Sequence, residues 1–425
     1  MKILILGGGG REHALAWNIK ERGNPQHDLF IAPGNPGTAQ CGTNINIAIT
    51  DFEGLGRFCL ENAIEMVIAG PEEPLVKGAW DHFQQQSLKH IHFIGPSQFG
   101  AQLEGSKAFA KAFMQRQNIP TATYREFTAE QFEEGVNYLQ QHSLPIVLKA
   151  DGLAAGKGVV ICGTHAEAII EFEAMLVQAK FGDASKTVVV EQFLDGIEMS
   201  VFILTDGKEY VLLPEAKDYK RIGEKDTGLN TGGMGAVSPV PFATDDFMQK
   251  VTTQVIEPTV NGLNKEGINY TGFVFIGLIK VNNEPFVIEY NCRMGDPETE
   301  VVMPRLKNDL ANLCLAAAEH RLADISIETD PRTAVTVVAV SGGYPGNFEK
   351  GYKIEGLGEV AVETIVFQAG TKEKEGQVVT NGGRVLCATS FGANTSEAVA
   401  QSRKALSQIR FDDMYYRGDI GYEFE

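Results

Sequence analysis

Apolar and polar positions follow two rhythms along this chain. Residues 2–6, KILIL, form a short apolar run; four glycines follow, and residues 11–22 then carry Ala14, Leu15, Trp17 and Ile19 at helical positions. That order predicts strand, tight turn and helix. Further apolar runs at 29–32, 66–69 and 92–94, each closed by a Gly or Pro loop, extend an α/β unit to about residue 100. Ligands of such sheets gather at the loops beyond the carboxyl ends of the strands.

From Leu103 the stretch LEGSKAFAKAFMQRQ predicts one helix, leading to Asn118 and Pro120. Strands at 146–150, 159–162 and 187–190, with a helix near 166–180, then predict a small α+β lobe over about 121–190. A larger unit runs from about 191 to 325. Residues 333–425 are expected to form a last lobe, with a strand at 334–340 and a final helix starting at Asn394, where Glu397 stands as cap partner. The expected architecture is multidomain, α/β and α+β: a Rossmann-like unit at 1–102, a central unit at 103–330 with the lobe at about 121–190 as a mobile lid, and a small α+β domain at 331–425.

Composition narrows the function classes. The chain has 425 residues, 43% hydrophobic, with 46 glycines, enough for several cores. A formal charge of −18 provides no general field for a polyanion, so nucleic acid is not an expected partner. No apolar run reaches membrane-spanning length, and the start, MKILILGGGG, is too short in its apolar part for a signal peptide. The six cysteines are scattered without CxxC spacing, which fits reduced thiols in a cytoplasm rather than zinc or disulfides.

Three glycine-rich segments carry candidate chemistry. GGGGREH at 7–13 places Glu12 and His13 where a dinucleotide turn needs its third glycine, and the second strand ends in APGN without the acid that would take a ribose diol. It reads as a phosphate loop for something smaller than NAD; a bare strand-to-helix turn is the alternative. KADGLAAGKGV at 149–159 is one residue short of a P-loop and has Gly158 in place of the magnesium-binding Ser or Thr. A hairpin lid whose amides and Lys157 fold over a triphosphate is the reading, with a plain mobile hairpin beside it. DTGLNTGGMGAVSP at 226–239 is too polar and glycine-rich to contribute much core, so it either wraps a substrate or is disordered.

Charged residues complete the pattern. Glu289 and Asn291 are at i and i+2 of an apolar strand and offer two hard oxygen donors to one point, as magnesium on a triphosphate requires. EQFLDGIE at 191–198 sets two acids around a turn whose backbone can meet an adenine edge while an acid meets ribose hydroxyls. Lys149 ends an apolar strand and Lys107 opens a helical turn with Lys111 on the same face. Two cations of this kind stabilise a phosphoryl group in transfer. Either lysine alone would ordinarily be a solvated surface group.

In order along the chain, GGGGREHALAW, APGNPG, GPEEPLV, EGSKAFAK, LKADGLAAGKGV, EQFLDGIEMS, DYKRIGEKDTGLNTGGMGAVSP, EYNCRMGDPETE and YYRGDIG resemble the phosphoribosylamine–glycine ligase family of the ATP-grasp superfamily, over residues 1 to about 422. The resemblance implies a Rossmann-like preATP-grasp domain, an ATP-grasp core with a lid lobe and a small C-terminal domain, in a monofunctional form. It implies ligation of glycine to 5-phosphoribosylamine through glycyl phosphate, giving N1-(5-phosphoribosyl)glycinamide, ADP and phosphate in purine synthesis. The expected cofactors are ATP and Mg2+ (or Mn2+). The expected partners are the two small substrates and a transient contact with the enzyme that makes phosphoribosylamine, in a monomer or weak dimer.

By that resemblance Lys107, Lys149, Gly152, Gly156, Lys157 and Gly158 hold phosphates, Glu191 and the Leu194 backbone meet adenine, Glu198 takes the ribose, and Glu289 and Asn291 bind the metal. Arg293 orients the acyl phosphate or the glycine carboxylate, Asp218 takes the glycine ammonium, and Asp296 and Glu298 face substrate. Phosphoribosylamine is expected on Gly8, Gly9, Gly10, Arg11 and Glu12, with Asn35, Gly37 and Glu72 near its sugar and amine. Two departures stand out. FVFIGLIK at 273–280 lacks the acid many ATP-grasp enzymes carry there, which leaves Glu300 as an unplaced candidate. Cys292 and Met294 replace a small residue and an aromatic, but should alternate away from the site. Another ATP-grasp carboxylate–amine ligase is the alternative reading; a nicotinamide oxidoreductase lacks its glycine and acid, and a non-catalytic nucleotide sensor would be expected to have lost the lysines or metal ligands.

Overall fold

Apolar runs buried on both faces are what a parallel sheet demands, and four of the first five strands provide them. In the computed structural model, which describes residues 1–153 and 158–424, Lys2–Gly7 pairs in parallel with Asp28–Pro33 on one side and Met66–Ala69 on the other. Thr43–Asn44 and His92–Pro96 extend the sheet outward. Ile3 to Leu6 are without solvent exposure.

This sheet does not stop at the first domain. The long strand Tyr270–Val281 begins antiparallel to His92–Pro96 and continues between Ile197–Thr205 and Glu284–Asn291, so the N-terminal and central sheets are one. The loops at the carboxyl ends of the parallel strands thereby face the end of Glu284–Asn291. No helix among the described residues is long and apolar enough to cross a membrane.

The lid lobe is a four-stranded antiparallel sheet in the order Tyr124–Thr128, Thr187–Gln192, Ile146–Ala150, Val159–Cys162, backed by helices Phe132–Gln141 and His165–Leu176. The sequence pattern missed Tyr124–Thr128 and Phe132–Gln141. In the strand only Phe127 is fully buried, and the helix contains Gly135, where a side chain would strike the Phe172 ring. The helix expected as one from Leu103 is two, Gln102–Gly105 and Lys107–Arg116. Between them Ser106 is extended and accepts the Phe109 N–H at 3.0 Å, while Asp151 of the lid accepts the Ala108 N–H at 2.8 Å and the Ser106 hydroxyl at 3.0 Å. A tertiary cap breaks what local propensity would continue.

The last lobe corrects the reading of residues 226–239. Gly235–Ser238 is a buried strand, flanked by Lys217–Asp218 and by Thr333–Val340, in a sheet completed by Arg384–Gly392 and Thr364–Gln368. Met234, Ala236 and Val237 have no exposure. Small residues are there because a Cβ at Gly235 would come within 2.7 Å of the Thr336 carbonyl. Helix Thr395–Leu406 is capped by Asn394, which accepts the Glu397 N–H at 2.9 Å.

Candidate active site

The lid and the core meet at a buried charge cluster. Lys149, near the end of Ile146–Ala150, places Nζ 2.9 Å from Glu191 Oε2, and Lys111 reaches the same oxygen at 3.0 Å. All three side chains are under 10% exposed. Burial raises the Glu191 carboxyl, yet Lys149 and Lys111 together hold it below the usual range; burial pushes Lys111 down to about 8. Glu191 Oε1 has no partner among the described residues. Nor do the N–H and C=O of Leu194, just beyond that strand, make a hydrogen bond among them. A buried acceptor without a partner is costly, and an unpaired backbone edge three residues further on leaves hydrogen-bonding capacity free.

Lys107 donates to the Gly152 carbonyl at 3.2 Å; burial lowers its pKa, opposed first by Glu289. Lys107 is thus within electrostatic reach of both Glu289 and Lys149. Gly158 accepts from the Ala150 N–H, whereas Gly156 and Lys157 lie outside the described residues. Sequence reasoning placed Lys111 beside Lys107 but missed its pairing with Glu191, which only the fold creates.

Glu289 and Asn291 are opposite Gly277 and Phe275, with a one-residue bulge at Ile288. Gly277 leaves room at the place where an added Cβ would approach Glu289 Cγ to 3.2 Å. Glu300 does not complete the set: it is fully buried against Gly10 and Cys387, and its charged neighbours are Asp296, Arg384 and Arg11. No three His, Cys, Asp or Glu side chains converge on a metal position among the described residues. Glu289 and Asn291 are thus two neighbouring oxygen donors on one strand without a third acid beside them among the described residues. Cys292 and Met294 point into the core at 2% and 1% exposure, away from their neighbours on the site face.

Arg293 is gripped by two acids. Its Nη2 lies 2.7 Å from Glu104 Oε1 and its Nε 3.3 Å from Glu72 Oε2, while the other Glu104 oxygen accepts the Cys292 N–H at 2.8 Å. Glu104 was not anticipated, although it opens the EGSKAFAK segment that carries Lys107 and Lys111. Across the cleft, Glu198 pairs with Lys220 at 2.9 Å, and Lys220 first of all holds its carboxyl low. Asp218 is pushed up by burial and lies among Lys220, Glu198, Lys217 and Glu289. Glu298 accepts from the Ser200 hydroxyl at 3.2 Å, and burial, then Asp218, push it up to about 7.

The N-terminal turn is arranged differently from the expectation. The Gly9 N–H donates to Glu12 Oε2 at 2.6 Å, Glu12 Oε1 pairs with Arg11 Nε at 2.7 Å, and a side chain at Gly7 or Gly70 would collide with Glu12. The chain's own carboxylate thus occupies the Gly9 amide, one of the donors expected to meet a phosphate. Arg11 stays near Asp296 and Glu72. Gly8 packs on Gly34 and Gly10 on Glu300. Asn35 is spent on structure: Oδ1 accepts from the Gly37 and Thr38 N–H groups, and Nδ2 donates to the carbonyls of Gly8 and Gln368. Gly37 clears space for the His13 ring. Asp296 pairs with Arg384 at 3.0 Å.

Comparison with known proteins matches this arrangement along the whole chain. Models of phosphoribosylglycinamide synthetase match in succession: the N domain over residues 1–104, the ATP-grasp (A) domain over 105–299 and the C domain over 334–423. The phosphoribosylamine–glycine ligase of Vibrio vulnificus (strain CMCP6) is 48% identical over 99% of this chain and 98% of its own length; that of Escherichia coli (strain K12) is 47% identical with the same coverage. The crystal structure of phosphoribosylamine–glycine ligase from Thermotoga maritima superposes with a TM-score of 0.85 at 34% identity, covering 99% of this chain and 100% of that one. A biotin carboxylase–β-γ-ATP complex from Campylobacter jejuni shares the fold, with a TM-score of 0.72 at 14% identity over 98% of this chain and 92% of that one. With its three domains matched in order and 99% of its length shared with these relatives, the chain belongs to the phosphoribosylamine–glycine ligase family of ATP-grasp enzymes.

Proposed function

We propose that this chain joins glycine to 5-phosphoribosylamine, with ATP cleaved to ADP and phosphate. The observation that carries the reading is the unfinished edge at Glu191 Oε1 and Leu194, next to Lys149, whose Nζ also reaches the Ile288 carbonyl beside Glu289 at 3.4 Å. An adenine amino group donating to Glu191 completes that edge, and Glu198 meets the ribose. Lys107 and Lys149 neutralise phosphate oxygens during transfer. A divalent cation held by Glu289 and Asn291, magnesium or manganese, would offset the charge of the phosphates.

Glycine's carboxylate is a poor electrophile, so its oxygen first attacks the γ-phosphorus and ADP departs, giving glycyl phosphate. The amine of phosphoribosylamine then attacks the acyl carbon, loses a proton and expels phosphate, forming N1-(5-phosphoribosyl)glycinamide. No covalent bond to the protein is needed, and the protein's part is positioning and charge neutralisation. Arg293, fixed by Glu104 and Glu72, suits a carboxylate or acyl phosphate, and Asp218 suits the glycine ammonium. Phosphoribosylamine belongs at the same edge, near Arg11 and Glu72. A phosphate on Gly8–Gly10 must compete with Glu12 for the Gly9 N–H.

ADP release measured with ATP, magnesium and glycine, with and without phosphoribosylamine formed in situ from ribose 5-phosphate and ammonia, tests the reading. Release should require both substrates and accompany the glycinamide product. ATP binding without stimulation by either one removes the substrate assignment. Glu289→Gln should lower turnover by about a thousandfold with the fold intact; retained turnover removes the metal pair.

A further inference from the structure

Lys217–Asp218 is held on one edge by Gly235–Ser238, but the segment that continues from it has little core of its own. Beyond Lys217–Asp218 the chain enters a two-stranded hairpin, Arg221–Gly223 with Thr227–Asn230, whose strands bury no side chain fully. Isolated ribbons of this kind are marginal in water. Its anchors come from residues 415–424, about two hundred positions later. Arg417, with no exposure, donates to Asp226 at 2.7 Å and to the Arg221 carbonyl at 3.1 Å. Asp419 accepts the Lys225 N–H at 2.6 Å, and Tyr422 donates to Asp226 at 3.0 Å.

Nearer the cleft the arrangement is more pointed. Glu423 accepts from Lys217 Nζ at 2.7 Å with one oxygen and from the Tyr219 hydroxyl at 2.8 Å with the other. Lys217 and Tyr219 flank Asp218. Side chains alternate in an extended segment, so a carboxylate that pulls 217 and 219 to one face turns 218 and 220 to the other. There Lys220 meets Glu198.

We propose that residues 415–424 are a clamp that positions Asp218 and Lys220 in the cleft, with Glu423 as its key positioning residue. Neither ligand contact nor chemistry is assigned to Glu423 itself. The proposal rests on the reading of Asp218 as the group that receives the glycine ammonium, so its test has a readout independent of that reading.

Hydrogen–deuterium exchange over residues 217–230 should be compared in the parent enzyme, Glu423→Gln and Tyr219→Phe, together with KM for glycine, kcat and ATP affinity by titration. Exchange in this segment should rise about tenfold in Glu423→Gln and less in Tyr219→Phe, and glycine KM about tenfold in Glu423→Gln, the size expected for one lost charge-assisted hydrogen bond. ATP affinity should be unchanged, and Glu423→Asp should restore part of the glycine KM. A merely structural role would lower the active fraction without moving KM. Unchanged exchange in both variants overturns the clamp, as does faster exchange with an unaltered glycine KM when Asp218→Asn raises it. Should Asp218→Asn leave glycine KM untouched, the role of Asp218 falls, and the exchange result alone upholds or overturns the clamp.

Discussion

The turn around Glu12 and the hinge around Glu191 are alike in their parts and opposite in their state. Each has a buried carboxylate, a cationic partner and neighbouring backbone amides. Glu12 uses both oxygens, one on Arg11 and one on the Gly9 N–H. Glu191 uses one oxygen for two lysines and, among the described residues, leaves the other without a partner, as it does the backbone of Leu194 three positions on. A glycine-rich turn closed by its own acid is a finished piece of structure, whereas a buried acceptor left open is costly unless something else fills it. The glycines drew attention to the first region; the bonding draws it to the second, the other buried oxygen without a partner among the described residues being Glu300 Oε2, in the core behind Gly10.

The strongest way to break the contrast is Glu191→Ala. It leaves Lys111 and Lys149 buried without a counter-charge, so it should destabilise by about 3–5 kcal/mol in urea denaturation and abolish measurable ATP binding. Because Lys149 and Lys111 depress its folded-state pKa, Glu191 contributes stability above the ordinary carboxylate range, and that contribution is lost as the pH falls. Glu12→Gln should be milder, about 1–3 kcal/mol, with ATP affinity unchanged. ATP affinity lost in Glu12→Gln but kept in Glu191→Ala would invert the comparison.

Glu298 sharpens it from the opposite sign. Burial and Asp218 raise its pKa to about 7, so between roughly pH 4.5 and 7 the folded protein keeps a proton that the unfolded chain releases. Stability should therefore fall as the pH rises through that window, by up to about 3 kcal/mol. Denaturation curves at pH 5 and pH 8 should draw together in Glu298→Gln; an unchanged difference would show that the proton is held elsewhere.

Much of the fold was legible in the pattern. The parallel strands, Ile146–Ala150, Val159–Cys162 and the Asn394 cap announce themselves through buried runs and turn chemistry that act over a few residues. Glu289 and Asn291 were legible because strand alternation puts i and i+2 together. The break at Ser106 was not, since Asp151 of another lobe makes it. Gly235–Ser238 reads as loop composition, and only close approach to Thr333–Val340 reveals why its residues are small.

The same division holds for the site. Sequence alone determined which chemical groups are available: lysines for phosphate, a Glu-x-Asn pair for a cation, and acids and an arginine for the substrates. Tertiary structure decided which of them remain free. It satisfied Asn35 and the Gly9 amide within the chain, sent Glu300 into the core, joined Lys111 to Glu191, and set Glu104 and Glu423 behind Arg293 and Asp218. Residue types and local spacing carry the first kind of information. Whether a buried polar atom already has its partner depends on neighbours hundreds of positions away, and only the folded chain brings those together.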